Sequence, residues 1–255
     1  MTTISTSTRK LIASLRQSRH RREQGLFVIE GTRAVLDTIP FFEVEHFVAT
    51  TRWLDAHGGE IPQGMPPVTV ARNEDMERMS SLATPQGVLA VCRMPERCPR
   101  QDFDAGELVL ALDKVQDPGN LGTIIRVADW FGVTRILASD DTVDVYNPKV
   151  VQATMGALAR VEVEYCDLPV ALGRARDAGV AIYGTFLDGD DLYAAGLTSG
   201  GIVVMGNEGN GISAEVAAVA SRRIKIPAFP PGRVTVESLN VSMATGIVLA
   251  EFRRR

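Results

Sequence analysis

The second half of the chain alternates short apolar runs with amphipathic, helix-like stretches. The clearest run, Leu108–Leu112, is apolar at every position. A strand without polar positions is buried on both faces, which is typical of a parallel sheet covered by helices. Further apolar runs lie at 136–138, 161–165, 180–183, 202–205 and 224–226. The pattern predicts an α/β fold with an open, mostly parallel sheet and helices on both faces, the last helix covering about 239–254.

The first half shows the same alternation on a smaller scale. Strands are predicted at 26–29, 43–49, 68–71 and 88–91, and helices at 33–39 and 73–79. This predicts a smaller α/β domain, residues 1–95. Residues 93–106 hold two prolines and six charged residues with little apolar periodicity, so 96–106 is assigned as a linker. The larger domain is then 107–255.

Charge is distributed unevenly along the chain. The formal net charge of −4 weighs against a nucleic-acid partner. Residues 1–22, however, contain basic residues and no acidic one, and the first acid is Glu23. Such a segment can dock on a phosphate backbone, although a solvated amphipathic helix explains it equally well.

Cysteine content and hydropathy favour a reducing cytoplasm. The three cysteines, Cys92, Cys98 and Cys166, are odd in number and not spaced like metal ligands. We expect ordinary core or loop thiols there. No apolar run approaches the roughly 18 residues that a membrane span needs, so no membrane partner is expected.

A first candidate loop follows the strand at 108–112. Within it Pro118-Gly119 is typical of a turn, and Asn120 is predicted to cap the next helix. Arg126 then falls nearly two turns into that helix, and its side chain can lean back over the helix N-terminus. The alternative is a solvated surface arginine.

A second candidate loop is rich in glycine. Gly206, Gly209 and Gly211 let the backbone approach a ligand closely, although a tight strand-to-helix turn has the same composition. The spacing G-x-x-G-x-G is not the dinucleotide fingerprint, and no phosphate-binding G-x-x-x-x-G-K-[ST] loop occurs.

A third candidate segment precedes the last helix. Ile226-Pro227 is followed by a loop, 228–236, that is long for a connector. Ser238 is predicted to cap the helix, with Asn240 in its first turn, where free N–H groups attract polar ligands. Plain capping chemistry is the alternative for both.

The order of these blocks carries more information than any one of them. D-P-G-N-x-G-x-x-x-R, G-N-E-G-x-G-I, and I-P with S-L-N-V-S-x-A resemble the three motifs of the SpoU (TrmH-like) family of RNA 2′-O-methyltransferases. Residues 146–157 resemble the segment between motifs one and two, except that Thr154 stands where serine is usual. Residues 27–31 and 84–88 resemble the family's N-terminal substrate-binding domain, which is related to small RNA-binding ribosomal proteins.

The resemblance implies a fold, a cofactor and an assembly. The fold is a SPOUT domain with a deep C-terminal trefoil knot, and the assembly is a homodimer with the site near its interface. The cofactor is S-adenosylmethionine, held in a bent shape. The implied cofactor contacts are Gly206, Asn207, Gly211, Ile226, Leu239 and, on a loop after an inner strand, Thr185. The loop 228–236 is a few residues longer than in many members.

The resemblance also implies the catalytic roles. Arg126, assisted by an RNA phosphate, would activate the ribose hydroxyl; alternatively it orients the phosphate while another group takes the proton, because arginine is normally locked in its protonated form. The residues that would position Arg126 and the ribose are Asn120, Glu208, Ser238 and Asn240. No metal is expected, since nothing clusters like ligands.

Three alternatives compete with this function. A nicotinamide oxidoreductase predicts a glycine fingerprint after the first strand, and the turn after Leu112 lacks it. A non-catalytic RNA-binding protein would need only the first domain, and cofactor binding separates the two. Within the family, the N-terminal domain favours ribosomal RNA over transfer RNA as the substrate, by analogy.

Overall fold

The computed structural model describes residues 2–96, 100–231 and 236–254. Outside the described residues lie Cys98, with its neighbours in the predicted linker, and the centre of the loop 228–236. The chain forms two compact units, one of residues 1–96 with 144–159 and the other of residues 97–143 with 160–255. The contiguous domains predicted from the sequence did not anticipate that residues 144–159 leave the second half and pack with the first.

The first unit contains a five-stranded mixed sheet. Its strands are β1 (Thr2–Thr3), β2 (Leu26–Glu30), β3 (Val44–Ala49), β4 (Thr69–Val70) and β5 (Val88–Arg93), in the order β1-β4-β3-β5-β2. β5 lies antiparallel between β2 and β3, whereas β4 pairs parallel with β1 and β3. Its helices are α1 (Thr6–Ser14), α2 (Ser18–Gln24), α3 (Thr32–Thr38), α4 (Thr51–His57) and α5 (Asn73–Met79). The predicted α/β character of this part is confirmed.

The second unit contains a six-stranded sheet in which every recorded pairing is parallel. Its strands are β6 (Leu108–Leu112), β7 (Arg135–Ala138), β8 (Glu162–Tyr165), β9 (Ile182–Asp191), β10 (Gly201–Met205) and β11 (Arg222–Lys225), in the order β11-β9-β10-β6-β7-β8. All five residues of β6 are buried, as the apolar run predicted. The predicted parallel sheet is therefore confirmed.

Helices cover both faces of this sheet. The remaining helices in chain order are α6 (Pro118–Trp130), α7 (Pro148–Thr154), α8 (Leu168–Asp177), α9 (Ala214–Ala217) and α10 (Val241–Arg254), of which α7 belongs to the first unit. Leu172 of α8 and Val216 of α9 pack in one cluster with Val109 of β6. On the opposite face, Tyr183 of β9 meets Phe252 of α10 edge-on, with ring centroids 5.1 Å apart. Alternate side chains of a strand point to opposite faces, so each face has its own core.

The segment 144–159 is held in the first unit by a buried ion pair and an aromatic contact. The Arg21 side chain is 2% exposed, and its Nε donates to Asp144 Oδ2 at 3.1 Å. Tyr146 packs on Phe27 of β2, with ring centroids 4.6 Å apart. A buried guanidinium is tolerated only when it is paired and hydrogen-bonded, so Arg21 requires Asp144. This pairing and the contact between Tyr146 and Phe27 hold the segment in the first unit, and sequence spacing gave no sign of either.

The described end of the predicted linker packs on the second unit. Arg135 of β7 forms a buried ion pair with Glu164 of β8 at 2.8 Å and also donates to the carbonyls of Arg100 and Asp102. Residues 100–102 are therefore anchored to the edge of the second sheet, and the assignment of 96–106 as a linker stays a prediction. The trefoil knot implied by the resemblance stays a prediction.

The two described cysteines are unpaired. Burial raises the pKa of the Cys92 thiol, in β5, to about 12, and that of the half-buried Cys166 thiol to about 11. Both are therefore protonated and unreactive near neutral pH, as expected of ordinary core and loop thiols. Among the described residues, no helix is both long and apolar enough to cross a membrane, and no group of side chains is arranged to hold a metal.

Candidate functional site

The candidate site lies at the carboxyl ends of β6 and β10, which are neighbours in the sheet. Met205, the last residue of β10, pairs in register with Leu112, the last residue of β6. The two following loops therefore start at the same edge, where parallel sheets bind their ligands.

The loop after β6 leads into α6 through a different cap from the one predicted. Asp117 is the N-cap residue, and its Oδ1 accepts a hydrogen bond from the N–H of Asn120 at 2.8 Å. Pro118 occupies the first helical position, where its missing N–H costs nothing. Asn120 thus lies in the first turn and does not cap the helix, which leaves its amide side chain free for other contacts. Aspartate followed by proline is a helix-start signal, and it points to Asp117 as the cap in place of Asn120.

The glycine-rich turn after β10 is closed by its own backbone and by one side chain. Asn207 and Gly211 exchange two backbone hydrogen bonds of 3.0 and 2.9 Å. Asn207 Oδ1 accepts from the N–H groups of Gly209 and Asn210, while its Nδ2 donates to the carbonyl of Lys114 at 2.8 Å. The segment is therefore a tight strand-to-helix turn, the alternative that its glycine content also allowed.

Two glycines of this turn differ in what a side chain would meet. A Cβ on Gly206 would lie 2.3 Å from the backbone carbon of Gly211, so only glycine fits there. Gly211 has φ +68°, which favours glycine, and nothing lies within 4 Å of its Cβ position. The backbone at Gly211 is therefore open to an approaching ligand.

Three predicted catalytic residues converge at the tip of this turn. Glu208 Oε1 accepts hydrogen bonds from Asn120 Nδ2 and from Asn240 Nδ2, both at 2.7 Å. Asn240 Nδ2 also lies 2.9 Å from Asn120 Oδ1. We call Asn120, Glu208 and Asn240 the polar triad. Its members come from three distant parts of the sequence and from two helix starts and one turn.

The third segment reaches the site through the start of α10. The helix begins at Val241, and Asn240 caps it, because its Oδ1 accepts from the N–H groups of Ser242 and Met243 at 3.1 and 3.3 Å. The prediction that Ser238 is the cap is wrong: Ser238 is exposed in the irregular segment two residues earlier. Asparagine caps as well as serine, and the shorter helix satisfies its free N–H groups with the same side chain that completes the triad.

The two helices that supply the triad run side by side in the same direction. Their first turns meet through Asn120 and Asn240, and at the far ends Arg253 Nε donates to the carbonyl of Phe131 at 2.7 Å. The positive ends of both helix dipoles therefore point to the Glu208 carboxylate. This places a negative side chain where two helix starts stabilise it.

A cleft of about 260 Å³ opens beside the triad. It is lined by Val115, Gln116, Asp117, Asn120, Asn207, Glu208, Gly209 and Val241. Its floor includes the buried side chains of Val115 and Val241, and its rim is polar, which is the usual make-up of a small-molecule or nucleotide site.

Arg126 is not among the residues that line this cleft. It lies on the outer face of α6, is exposed, and has no hydrogen bond or ion pair with the residues in 2–96, 100–231 and 236–254. Trp130, four residues on, projects from the same face and is 84% exposed. The sequence predicted that the Arg126 guanidinium lies beside the pocket. In a single chain it lies on the surface instead, on the same helix face as the exposed Trp130 indole.

The predicted cofactor contacts occupy several elements. Gly206, Asn207 and Gly211 share the turn after β10. Thr185 was predicted on a loop, but β9 continues past it to Asp191, and its Oγ1 donates to the carbonyl of Val204 at 2.8 Å. The pairing of β9 with β11 shifts from Gly184 to Asp190 between consecutive residues of β11, so Thr185 lies in the irregular stretch between two paired parts of β9.

The last two predicted contacts flank the residues 232–235. Ile226 immediately follows β11 and is half-buried, while Leu239 is 48% exposed just before the cap of α10. Neither Ile226 nor Leu239 is among the residues that line the cleft beside the polar triad.

Two family models match the chain, one over each half of the sequence. Residues 107–250 match the SpoU rRNA Methylase family, and residues 8–90 match an MRM3-like substrate binding domain. A 23S rRNA (guanosine-2′-O-)-methyltransferase of Vibrio vulnificus is 30% identical over 241 residues, which cover 90% of this chain and 96% of that protein.

Two solved structures resemble the whole chain. A TrmH-family protein from Porphyromonas gingivalis is 40% identical, with a TM-score of 0.88 and 98% of each chain covered. An AdoMet-bound rRNA methyltransferase from Sinorhizobium meliloti is 29% identical, with a TM-score of 0.84, and covers 100% of this chain and 97% of its own. Both similarities extend over the two units.

Proposed function

Since the chain belongs to the SpoU rRNA methylase family, we propose that it transfers a methyl group from S-adenosylmethionine to the 2′-hydroxyl of a ribose in ribosomal RNA. The observation that carries the proposal is the polar triad, in which residues 120, 208 and 240 meet at the edge of the sheet. The Vibrio relative is named for a guanosine of 23S rRNA, which favours a guanosine target and ribosomal over transfer RNA.

The first unit supports RNA as the partner. It matches a substrate-binding domain, and its leading helices carry exposed cations at Lys10, Arg19 and Arg22. Exposed cations add affinity for a phosphate backbone by releasing its counterions, so binding falls as salt rises. We place the reaction in the cytoplasm, the compartment favoured by the unpaired thiols.

The residues of the second unit suit S-adenosylmethionine. The backbone of the Gly206–Gly211 turn would hold its polar groups, and Ile226 and Leu239 would flank its adenine. The AdoMet-bound relative has the same fold over the whole chain. When bound, the cofactor supplies a methyl group on a positively charged sulfur, which is open to in-line attack.

The chain's own residues would align the ribose and activate its hydroxyl. The 2′-oxygen would take the methyl group by attack in line with the carbon–sulfur bond, and the electron pair of that bond would stay on the cofactor's sulfur. The hydroxyl proton would pass to an oxygen of an RNA phosphate, and we assign the activation to Arg126, which would grip that phosphate with two hydrogen bonds and hold it beside the hydroxyl. The triad, with Ser238 nearby, orients the ribose, and such positioning alone can supply about 7–11 kcal/mol.

We further propose a homodimer formed through α6 and α10. Trp130 is 84% exposed and Met243 is 63% exposed, and large apolar side chains at that exposure mark an interaction surface. Because Arg126 and Trp130 share one face of α6, an interface over Trp130 would bring Arg126 toward the partner's cleft. Such a dimer would explain why Arg126 lies outside the cleft of its own chain.

Trp130→Glu is expected to weaken the dimer by roughly 10²–10³-fold, because a two-fold interface contains each buried aromatic anchor twice. Light scattering after size exclusion measures the change. Val170→Glu, on α8 at the opposite face of the sheet and 48% exposed, is the matched control and should remain dimeric. A dimeric Trp130→Glu protein would rule out this interface.

Cofactor binding is expected to stabilise the fold measurably. At about a hundred times its dissociation constant, S-adenosylmethionine should add roughly 2.7 kcal/mol to the free energy of unfolding. Thermal denaturation with and without the cofactor measures this, with a nicotinamide dinucleotide as the control ligand. An unchanged midpoint with S-adenosylmethionine would argue for a non-catalytic RNA-binding protein.

The decisive experiment is methyl transfer in vitro. Purified protein and labelled S-adenosylmethionine are incubated with ribosomal RNA or transfer RNA, and the 2′-O-methylated nucleotide is mapped. We expect label at one ribose of 23S rRNA. Label in transfer RNA alone would replace the proposed substrate, and label on a base would refute ribose methylation.

A further inference from the structure

Asp113 is a buried carboxylate to which the proposed reaction gives no role. It is the first residue after β6 and is 1% exposed. Its Oδ2 accepts a hydrogen bond from the N–H of Ser213 at 2.6 Å, and its own N–H donates to the carbonyl of Met205 at 2.9 Å. Burying a carboxylate is costly, so a site that keeps one uses it to hold something in place.

Asp113 and its neighbour hold both ends of the turn that presents Glu208. Asp113 binds Ser213 at the end of the turn, while the carbonyl of Lys114 accepts from the Asn207 side chain at its start. Lys114 has φ +59°, a conformation that non-glycine residues rarely adopt and that persists where surrounding contacts fix it. The turn 207–213 is thus attached at two points to the loop after β6.

Glu208 is exposed at the tip between these attachments. The hydrogen bonds that shape the turn are made by its neighbours Asn207, Gly209, Asn210 and Gly211, so the direction of the Glu208 carboxylate depends on that shape. A catalytic group must be held within about 0.5 Å of its working geometry by such supporting hydrogen bonds.

We propose that Asp113 is a positioning residue that acts through Glu208: it anchors the turn 207–213 so that the Glu208 carboxylate stays on Asn120 and Asn240. This inference rests on the proposed methyl transfer for its kinetic test. Asn207, predicted above as a cofactor contact, then also helps to anchor the turn, because the described hydrogen bonds of its side chain all go to the turn and to Lys114.

The test is a double-mutant cycle between Asp113→Ala and Glu208→Ala, with kcat measured at saturating RNA and cofactor. Each single variant is expected to lower kcat by roughly 10²-fold, the cost of a displaced catalytic group. If Asp113 acts through Glu208, the double variant falls no more than a few-fold below Glu208→Ala. Equal losses in both backgrounds, or an unchanged kcat in Asp113→Ala, would overturn the proposal.

Two further variants separate positioning from general stability. Asp113→Asn keeps an acceptor oxygen for Ser213 and should retain kcat within several-fold. Ser213→Pro removes the donor instead; Ser213 already has φ −61°, which proline accepts, so this variant should reproduce the loss if Asp113→Ala does not fold. A wild-type kcat in Ser213→Pro contradicts the inference.

Glu164→Ala is the matched control. Glu164 is another buried carboxylate of this unit, 4% exposed and paired with Arg135 on the sheet away from the turn. Its loss should destabilise the fold yet combine additively with Glu208→Ala.

Amide hydrogen exchange gives a readout that needs no turnover. In cofactor-free protein, Asp113→Ala should raise exchange at residues 207–213 by about tenfold or more, and Glu164→Ala should not. Unchanged exchange in Asp113→Ala overturns the inference even if the enzyme is active. If the wild type methylates no RNA, the proposed function fails, and exchange alone then decides whether Asp113 anchors the turn.

Discussion

Arg126→Ala is expected to lower the rate of methyl transfer by about 10²–10⁴-fold, the range lost when a group that assists proton removal is deleted. The reason is that Arg126 is the cation assigned to the RNA phosphate and the ribose hydroxyl, and its exposed side chain is unpaired within the described residues. Single-turnover methylation of ribosomal RNA measures the loss.

The control for Arg126→Ala is cofactor binding. Because Arg126 does not line the cleft of its own chain, the thermal shift with S-adenosylmethionine should match the wild type. Arg126→Lys keeps the charge but not the forked geometry, so it should recover only a small part of the rate. Full activity in Arg126→Ala would remove the residue from the mechanism.

Mixing subunits tests whether Arg126 works across the dimer. Arg126→Ala and Asn240→Ala are each inactive alone in this scheme. A mixed dimer has one intact site if Arg126 serves the partner's triad, so co-refolded protein should regain about a quarter of wild-type activity. No recovery would assign Arg126 to its own chain.

Substitutions at Asn240 are expected to separate helix capping from catalysis. Asn240 does both: Oδ1 caps α10, and Nδ2 donates to Glu208 and Asn120. Serine caps equally well but has no amide, so Asn240→Ser should keep the unfolding free energy within a few tenths of a kcal/mol. It should nevertheless lose about 10²–10³-fold in kcat, the usual effect of deleting one oriented donor.

Two other substitutions complete that series. Asn240→Ala also loses the cap and should be less stable by about 1 kcal/mol. Asn240→Asp keeps the cap but places a second carboxylate against Glu208, so it should be at least as inactive as the serine variant despite its stable helix. Thermal melts and kcat are measured on all three. Activity that followed stability across the series would mean that Asn240 is only a cap.

The sequence predicted the sheet of the second unit well because each buried strand is a local run of apolar residues. Leu108–Leu112 needed no information from elsewhere in the chain. The position of residues 144–159 was missed because it depends on Arg21 meeting Asp144, 123 positions apart. Nothing local distinguishes a buried, paired arginine from the solvated arginines around it.

The sequence identified the residues of the polar triad but not which residues cap the two helices. Glycine, proline and asparagine in the three loops marked the residues of the triad, because turns and helix starts have strong local chemistry. The caps were misplaced at Asn120 and Ser238 because several capping residues compete within a few positions. Asp113 carries no motif of its own, since its role lies in a bond to Ser213, 100 positions away.

The order in which the triad residues occur has a consequence for synthesis on the ribosome. Translation adds roughly 5–20 residues per second, so Asn120 leaves the ribosome well before Glu208 and Asn240 follow. A nascent chain that stops before residue 240 can already contain the six strands of the second sheet, yet it lacks the amide that joins the two helix starts. Such an unfinished chain cannot complete the triad and, on the proposed mechanism, cannot orient a ribose.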